Sequence, residues 1–251
     1  MDKVKKFWDD QATQYREQVQ ATQPDHYSFI REIETIIEHL QDGQEVIEYG
    51  CGNGNTMREV LKSVALKDYC GVDYSDEMIQ IAKAGLNASH VRYEVGDVKE
   101  HVPHKLYDVA VTDRCLINLA THEEQIIAAK NISSTLRPNG TYLMIECSKK
   151  SLSNINEVRS TMGLSEITER WHNCYLDEDR FLQDISPYFE VTSVKSPIST
   201  YFLVSRTINA IIGDKTGTID YFSDINEAAS RLPATGDYAP LKLFILRKKE
   251  V

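Results

Sequence analysis

The fold of this chain is decided by the stretch Val46-Ile47-Glu48-Tyr49-Gly50-Cys51-Gly52-Asn53-Gly54-Asn55. The stretch begins as a short apolar run and passes into a turn with glycine at positions 50, 52 and 54. Glycine has no Cβ, so the backbone can turn sharply there and lie close against a ligand. Apolar residues at spacings of three and four follow over 57–64, which predicts a helix. The first amides of that helix would face a nucleotide-like cofactor at the end of the strand.

Acidic residues accompany the end of this strand and of two later strand-like runs. Glu48 stands two residues before the first glycine, and Asp73 and Asp97 end the second and third runs. This spacing of acids strengthens the prediction of a cofactor site beyond what the glycines alone indicate. A dinucleotide site of the Gly-x-Gly-x-x-Gly type would need a third glycine where this chain has Asn55.

The order of these motifs resembles the class I S-adenosylmethionine-dependent methyltransferase family, of the small-molecule or glycan type. Five short segments match the motifs of that family in order: 48–54, 71–75, 96–98, 112–114 and the Leu-x-Pro-x-Gly turn 136–140. The resemblance covers residues 40 to 147 well and the remainder loosely. It implies the cofactor S-adenosyl-L-methionine, with S-adenosyl-L-homocysteine as its product, and it leaves the methyl acceptor open.

The resemblance also implies roles for individual residues at the cofactor. Asp73 would hold both ribose hydroxyls, and Asp97 would lie near the adenine amino group. An N-terminal segment, here 8–16, folds over the cofactor in many relatives, where Tyr15 or Arg16 would meet the methionyl carboxylate. The cofactor-binding residues expected from the resemblance are Tyr15, Arg16, Glu48, Gly50, Cys51, Gly52, Asn53, Asp73, Tyr74, Met78, Asp97, Val98 and Asp113.

Strand-like and helical patterns alternate along most of the chain. Helices are predicted over 3–20, 27–40, 55–65, 76–86, 122–136, 151–162 and 177–186. Strands are predicted over 45–49, 69–73, 91–95, 107–112, 141–147, 190–195 and 241–247. Alternation of this kind predicts an α/β, Rossmann-like doubly wound and mostly parallel seven-stranded sheet with helices on both faces.

Class I methyltransferases usually join their last two strands by a tight hairpin. By this resemblance, the long segment between the last two predicted strands suggests a small helical cap inserted over the active site. Apolar residues recur at helical spacing over 201–212 within it. We therefore predict three parts: an N-terminal helical lid over the cofactor (1–40), a S-adenosylmethionine-binding Rossmann-like core (41–150) and a C-terminal part with a substrate-facing loop and the inserted cap (151–251).

Composition narrows the classes of partner. The formal net charge of −10 argues against binding to duplex DNA or long RNA, which needs a basic face. No run of 18 apolar residues is present, so no membrane insertion is expected. The five cysteines have no metal-site or disulfide spacing, which indicates reduced thiols and a cytoplasmic protein. We expect a monomer or a homodimer with a small-molecule or saccharide substrate.

Candidate residues for the acceptor lie after the fourth and fifth predicted strands. Asp113 follows strand four, where relatives place residues facing the methyl group, although it could simply cap a helix. The loop 170–175 contains a cation, two aromatic rings, an imidazole and an amide. His172 could accept a proton near neutral pH, or it could be an exposed histidine in a loop anchored by its tryptophan.

These considerations give two candidate sets. The catalytic candidates are His172 and Asp113. The substrate-binding candidates are Arg114, Asn118, Trp171, His172, Tyr175 and Arg206, the last because residues 199–206 resemble the cap of methyltransferases from surface-glycan pathways. No metal is predicted, because no convincing cluster of acids follows strands four and five.

The leading hypothesis is methyl transfer to a hydroxyl of a small molecule or saccharide. N-methylation of a small amine and a non-catalytic, cofactor-retaining regulatory partner remain alternatives. The Asn/Asp-Pro-Pro-Tyr/Phe signature of nucleobase- and glutamine-methylating enzymes is absent, since 112–115 reads Thr-Asp-Arg-Cys. Asn55 and Asp97 both count against a nicotinamide-dependent oxidoreductase.

Overall fold

A single sheet of seven strands organises the molecule. The computed structural model describes residues 3–86, 88–216 and 220–250, but not the side chains of 214–216. Each of the three predicted segments therefore has a part that lies outside the described residues. The strands are β1 (Glu45–Tyr49), β2 (Asp68–Asp73), β3 (Val91–Val95), β4 (Tyr107–Asp113), β5 (Leu136–Cys147), β6 (Phe189–Lys195) and β7 (Leu241–Lys248). Their order is β3-β2-β1-β4-β5-β7-β6, and β7 is antiparallel to both of its neighbours. The predicted fold class is confirmed.

Helices cover both faces of the sheet. They are α1 (Lys3–Tyr15), α2 (His26–Ile37), α3 (Asn55–Val60), α4 (Asp76–Gly85), α5 (His122–Thr135), α6 (Lys149–Thr161), α7 (Glu178–Ile185), α8 (Ser199–Val204), α9 (Ala210–Thr216) and α10 (Asp224–Ser230). A π-helical turn, Ser205–Asn209, joins α8 to α9. In the part of the chain that the structure describes, no helix has the length and apolar character needed to cross a membrane.

Two buried clusters, one on each face, hold the helices to the sheet. Val46 and Leu143 belong to the first cluster, whereas their neighbours Ile47 and Met144 belong to the second. Successive strand residues point to opposite faces, so this division is what a sheet covered on both sides requires. Helices α2, α3 and α4 contribute to the first cluster, and α5 and α7 contribute to the second.

Helix α1 ends at Tyr15, which corrects the predicted span 3–20. Arg16 follows with a φ of 51°, a left-handed conformation that terminates the helix. A short 3-10 turn, Val19–Ala21, then leads toward α2. The apolar stripe that suggested one long helix is therefore divided between a helix and a turn.

Other boundaries differ in the loops between elements. Strand β5 begins at Leu136 rather than 141, with a register shift against β4 between Tyr107 and Val109. Helix α10 was not predicted, because its few apolar residues give no clear period. The Ser223 hydroxyl accepts a hydrogen bond from the Asn226 amide and caps that helix.

In the described part of the predicted lid, α1 packs against α4 and contributes no residue to the two sheet clusters. The Lys5 ammonium is 3.1 Å from the Asp76 carboxylate, and the Ser75 hydroxyl donates to Asp9 at 2.6 Å, which docks α1 on α4. Helix α2, in contrast, contributes Phe29 and other apolar residues to the first buried cluster. The predicted lid 1–40 thus contains two differently placed helices.

The described parts of the segment between β6 and β7 are largely helical, as predicted. It contains α8, α9 and α10, and it is tied to the N-terminal part of the chain through Asp25. The Arg206 guanidinium lies 2.6 Å from one Asp25 carboxylate oxygen, and the Tyr201 hydroxyl donates to the other. Because Asp25 also caps α2 by accepting from the Ser28 amide at 3.2 Å, the insertion is anchored to the start of that helix.

Candidate functional site

A cavity of about 370 Å³ opens at the carboxyl ends of β1 to β4. Strand order reverses between β1 and β4, and ligands of open α/β sheets bind at such a reversal. The structure brings most of the predicted cofactor residues together in this lining: Glu48, Gly50, Cys51, Gly52, Asn53, Asp73, Tyr74, Met78, Asp97, Val98 and Asp113.

The glycine-rich turn forms one wall of the first cavity. Gly50, Gly52 and Gly54 have φ values of 74°, 53° and 76°, in the left-handed region that favours glycine. A Cβ at Gly50 would lie 2.7 Å from the Cβ of Cys115, and one at Gly52 would lie 3.0 Å from Thr22 Cγ2. The turn therefore depends on glycine for its conformation and for the close approach of Cys115 and Thr22.

Asp73 is held by backbone amides on both of its carboxylate oxygens. The Gly52 amide donates to Oδ2 and the Ser75 amide donates to Oδ1, each at 2.9 Å. Burial raises the pKa of Asp73 to about 6, although the two amide bonds oppose this shift. The carboxylate is thus fixed in orientation at the cavity wall, with lone pairs left for a ligand.

Glu48 and Asp97 flank Asp73 in the same lining. The Tyr69 hydroxyl donates to Glu48 at 2.5 Å, and burial raises the pKa of Glu48 to about 7. The Asp97 carboxylate accepts from the Lys99 amide at 2.9 Å, while the Lys99 ammonium lies 3.6 Å from its other oxygen. The first cavity is therefore acidic along the ends of three neighbouring strands.

Asp113 and Arg114 stand at the end of β4, beside a residue that the sequence did not indicate. The Arg114 guanidinium lies 2.8 Å from the carboxylate of Glu32 and 3.5 Å from that of Asp113. Asp113 Oδ1 is buried without a hydrogen-bond partner, and burial raises the pKa of its carboxyl group. Asp113 does not cap a helix through this atom.

Glu146 supports the turn that follows Arg114. Its buried carboxylate accepts hydrogen bonds at 2.9–3.2 Å from three successive backbone amides: Cys115, Leu116 and Ile117. Because this acid ends β5, its place beside β4 follows from the pairing of the two strands. Beyond an acid at a strand end, no sequence signal indicated this capping role.

A second cavity of about 150 Å³ adjoins the first. The two share four lining residues: Trp8, Thr22, Arg114 and Asn118. The indole N–H of Trp8 donates to the Asn118 side chain at 3.3 Å across this junction. The second cavity is otherwise lined mainly by α2, by the loop 170–175 and by the insertion, including Ile198, Phe202 and Arg206.

His172 lines the second cavity and is almost buried, with 7% of its surface exposed. Its ring stacks on Phe7 of α1 with 4.4 Å between centroids, and its Nδ1 has no hydrogen-bond partner. Burial and the nearby Arg170 guanidinium lower the pKa of His172, so the imidazole is neutral at pH 7. The interpretation as an exposed histidine is wrong.

The remaining acceptor candidates separate into two groups. Tyr175 and Arg206 line the second cavity, but the Arg206 guanidinium is already paired with Asp25 and lies over the rings of Phe202 and Tyr221, each 4.7 Å away. Trp171 is 66% exposed and lines neither cavity. Trp171 is therefore not placed to stack on a substrate ring held inside either cavity.

Tyr15 and Arg16 also lie outside both cavities. Tyr15 packs with Ala12, Ala21 and Met78, and the Arg16 side chain is 78% exposed. Helix α1 ends at Tyr15, and the Arg16 side chain that follows extends into solvent. Trp8, one residue of the same predicted segment, reaches both cavities instead, and its aromatic position was the available signal.

The sheet order, the glycine-rich turn and the acids at successive strand ends define a Rossmann-like protein with a nucleotide-type cofactor site at its strand ends. Comparison with known proteins places the chain more narrowly. It belongs to the methyltransferase domain family, whose model matches residues 40–181.

Individual relatives agree with this assignment. The chain is 23% identical over 194 residues to the malonyl-[acyl-carrier protein] O-methyltransferase of Halalkalibacterium halodurans, covering 72% of this chain and 70% of the relative. The N-methyltransferase NodS of Bradyrhizobium japonicum, solved with S-adenosyl-L-homocysteine, has a TM-score of 0.62 at 13% identity, covering 99% of this chain and 100% of that one. A chain from the Haloferax volcanii Trm112 activator complex with a methyltransferase has a TM-score of 0.64 at 14% identity, covering 97% and 98%.

The protein is therefore a S-adenosylmethionine-dependent methyltransferase. The first cavity fits this cofactor on its own evidence. Its wall is a turn that a Cβ would crowd, and its floor carries the Asp73 carboxylate oriented by two amides. The orphaned Asp113 oxygen marks the end of the cavity that meets the second one.

Proposed function

We propose that this methyltransferase acts on a hydroxyl of a small molecule or saccharide held in the second cavity. The observation that carries the proposal is the junction of the two cavities at Trp8, Thr22, Arg114 and Asn118. Displacement at a methyl carbon needs donor and acceptor in line, and the junction is where groups from the two cavities would meet. The volume of about 150 Å³ favours a small acceptor or one ring of a larger one.

Charge around the second cavity favours a neutral oxygen over an ammonium group. Its lining carries three guanidinium groups, those of Arg114, Arg170 and Arg206, but only two carboxylates, those of Asp25 and Glu32. Both carboxylates are paired with arginines, at 2.6 Å and 2.8 Å. A cationic amine entering this lining would find both carboxylates already paired with arginines.

Uncharged polar groups in the same lining suit a polyhydroxylated acceptor. Gln23, Ser28, Asn118 and Asn173 offer both hydrogen-bond donors and acceptors, and a hydroxyl can pair with either. Phe202 adds an aromatic face. This mixture supports an alcohol or sugar more than an extended apolar substrate.

Within the first cavity we assign the cofactor to the motif residues. When bound, S-adenosyl-L-methionine supplies a methyl carbon on a positively charged sulfur, which keeps the bonding electron pair as the methyl leaves. Asp73 would accept hydrogen bonds from the ribose hydroxyls, and Asp97 with Val98 would hold the adenine. Glu48 and the glycine-rich turn would hold the methionyl end.

The proton of the acceptor hydroxyl has to leave as the new bond forms. Two groups of the chain could accept it, and each has a buried atom without a hydrogen-bond partner: His172 Nδ1 and Asp113 Oδ1. His172 lines the second cavity, and Asp113 lines the first. A neutral imidazole is a competent base near pH 7, whereas Asp113 stands nearer to the proposed methyl group.

The acceptor class is tested with the methyl group of S-adenosyl-L-methionine isotopically labelled. Monosaccharides and phenols are compared with their amino counterparts, in which an amine replaces one hydroxyl, and products are identified by mass spectrometry. We expect O-methyl products. Products methylated only on nitrogen would favour the amine alternative, and tight cofactor binding without transfer to any acceptor would favour a regulatory partner.

The proton acceptor is tested with His172→Ala and Asp113→Asn. Loss of a positioned base should lower turnover by roughly 10²–10⁴-fold. In His172→Ala the affinity for S-adenosyl-L-homocysteine should stay unchanged, because His172 lines the second cavity and not the first. His104→Ala, at an exposed histidine, is the control. Full activity in both variants would contradict a base from the chain, and would fit an amine that enters already neutral.

A further inference from the structure

Glu32 lies outside the matched residues 40–181, yet its side chain reaches the edge of the junction between the two cavities. The side chain is completely buried on α2. One carboxylate oxygen accepts hydrogen bonds from the Ser28 hydroxyl at 2.6 Å and the Gln23 amide at 2.9 Å. The other lies 2.8 Å from the Arg114 guanidinium in an ion pair that lacks hydrogen-bond geometry, so two hydrogen bonds and one ion pair hold this carboxylate.

Arg114 is held as firmly as Glu32. Its φ of 54° is in the left-handed region, which costs free energy for a residue with a side chain. Its amide donates to the Ile145 carbonyl at 2.8 Å, and its carbonyl accepts from the Asn118 side chain at 2.6 Å. This conformation directs the guanidinium between the carboxylates of Glu32 and Asp113, where it lines both cavities.

The charges around this guanidinium are unbalanced. Arg114 faces two close carboxylates, Glu32 at 2.8 Å and Asp113 at 3.5 Å. Burial raises the pKa of Glu32 to about 7 and also raises that of Asp113, and the Arg114 charge opposes both shifts. The location of the guanidinium therefore controls how readily Asp113 is ionised.

We propose that Glu32 is a positioning residue for methyl transfer and that it acts through Arg114. Its carboxylate holds the guanidinium at the junction, where the remaining N–H groups bind the acceptor oxygen. The inference depends on the proposed function only for the chemical class of the acceptor, because any acceptor in the second cavity would meet the same guanidinium.

A double-mutant cycle tests this role with the panel of alcohols and amines described above. Glu32→Gln, Arg114→Gln and the double variant are compared for turnover and for affinity toward S-adenosyl-L-homocysteine. Misplacement of the guanidinium should cost turnover about 10²-fold in Glu32→Gln, with cofactor affinity unchanged. The double variant should be no slower than Arg114→Gln alone, since Glu32 has no effect without its partner.

Glu34→Gln is the matched control, because Glu34 lies on the same helix, half exposed and paired with Arg31 at 2.8 Å. It should keep wild-type turnover. Losses that multiply in the double variant, full turnover in Glu32→Gln, or a parallel loss of turnover and cofactor affinity would each overturn the proposal. The identity of the product separately tests the proposed function, so a nitrogen-methylated product leaves the cycle interpretable.

A crystal structure of Glu32→Gln with S-adenosyl-L-homocysteine gives a readout that needs no acceptor. We expect the Arg114 guanidinium to leave the junction while the glycine-rich turn stays in place. An Arg114 side chain in its wild-type position would overturn the proposal.

Discussion

The two cavities meet at four residues but are built in different ways. The first takes most of its lining from the ends of β1 to β4 and from the residues immediately after them. The second combines α1, α2, the loop 170–175 and the insertion, segments far apart in sequence. One of its ion pairs, Arg206 with Asp25, joins residues 181 positions apart.

The difference lies in what fixes each geometry. In the first cavity, backbone conformation does so: three glycines have positive φ, and backbone amides orient Asp73. In the second cavity, side-chain pairs do so, such as Glu32 with Arg114. Side-chain pairs can be exchanged without changing the sheet, so one fold can keep its cofactor site while its acceptor site varies.

The largest effect is expected for Asp73→Ala, which removes a backbone-oriented carboxylate from the cofactor cavity. Hydrogen bonds to a charged group contribute about 1.5–3 kcal/mol each, so losing both ribose hydroxyl bonds should weaken cofactor binding roughly 10²–10⁴-fold. Titration calorimetry with S-adenosyl-L-homocysteine measures this. Glu77→Ala, which removes an exposed carboxylate four residues away, should bind normally, and wild-type affinity in Asp73→Ala would remove Asp73 from the site.

A second effect is the pH dependence of stability, which is expected to have opposite signs for Glu48 in the first cavity and His172 in the second. Burial raises the pKa of Glu48 from 4.5 to about 7, so the folded state binds a proton more tightly than the unfolded state. The resulting stabilisation is present below pH 4.5 and is lost as pH rises through 7, a change of about 3 kcal/mol. In Glu48→Gln, denaturant unfolding should show a flatter fall in stability over this range, and Glu59→Gln, on the exposed side of α3, should keep the wild-type slope.

The pH dependence that His172 of the second cavity adds to stability has the opposite sign. Its pKa is lowered from 6.5, so the unfolded state binds the proton more tightly. The stabilisation is present above pH 6.5 and is lost as pH falls through the folded-state pKa. His172→Gln should therefore reduce the loss of stability on acidification, and an unchanged pH dependence would mean that the imidazole titrates freely in the folded protein.

The fold could be predicted from the sequence because its signals are local. Alternating apolar runs and helical periods predicted all seven strands and helix α4, at whose start the Met78 amide donates to the Ser75 hydroxyl at 3.1 Å. Errors arose where backbone conformation overrides the period, as at Arg16. Helix α10 was not predicted, because it is supported by packing on α8 and α2 rather than by an apolar pattern of its own.

Prediction of the two cavities also depends on whether the sequence signal is local. The residues of the cofactor cavity follow from short motifs, since a strand end and its turn are continuous in sequence. Glu32 could not be found this way, because an acid on an amphipathic helix normally faces water. Its burial depends on meeting Arg114, and no local pattern in α2 contains that information. Trp171 is the reverse case: the composition of the loop 170–175 predicted a substrate-binding role, and the structure leaves this side chain 66% exposed and outside both cavities.

A smaller effect is expected for Gly52→Ala. The φ of 53° costs a residue with a side chain about 1–2 kcal/mol, and the new Cβ would lie 3.0 Å from Thr22 Cγ2. Gly43 supplies the control, because its φ is 80° but no atom lies within 4 Å of a Cβ built there. Both alanine variants should melt at lower temperature, whereas only Gly52→Ala should bind S-adenosyl-L-homocysteine more weakly. Equal cofactor affinity in the two variants would show that close approach at Gly52 does not matter.

The smallest effect concerns α1, which contributes Trp8 to the lining of both cavities. The Ser75 hydroxyl caps α4 and also donates to Asp9 of α1 at 2.6 Å. Ser75→Ala should cost about 1 kcal/mol for the cap, lowering the melting temperature by roughly 2–4 °C. Thr121→Ala removes a comparable cap from α5, where the Glu124 amide donates to the hydroxyl at 3.2 Å, without touching α1.

Hydrogen exchange then distinguishes the two alanine variants. Both should melt earlier, but only Ser75→Ala should increase exchange in α1, because only that substitution also removes a hydrogen bond to Asp9 of α1. If α1 closes both cavities, Ser75→Ala should also raise the dissociation constant for the cofactor and the KM for the acceptor together, by a few-fold. Equal α1 exchange in both variants would mean that other interactions, such as Lys5 with Asp76, hold the helix and that the two cavities are covered independently of Ser75.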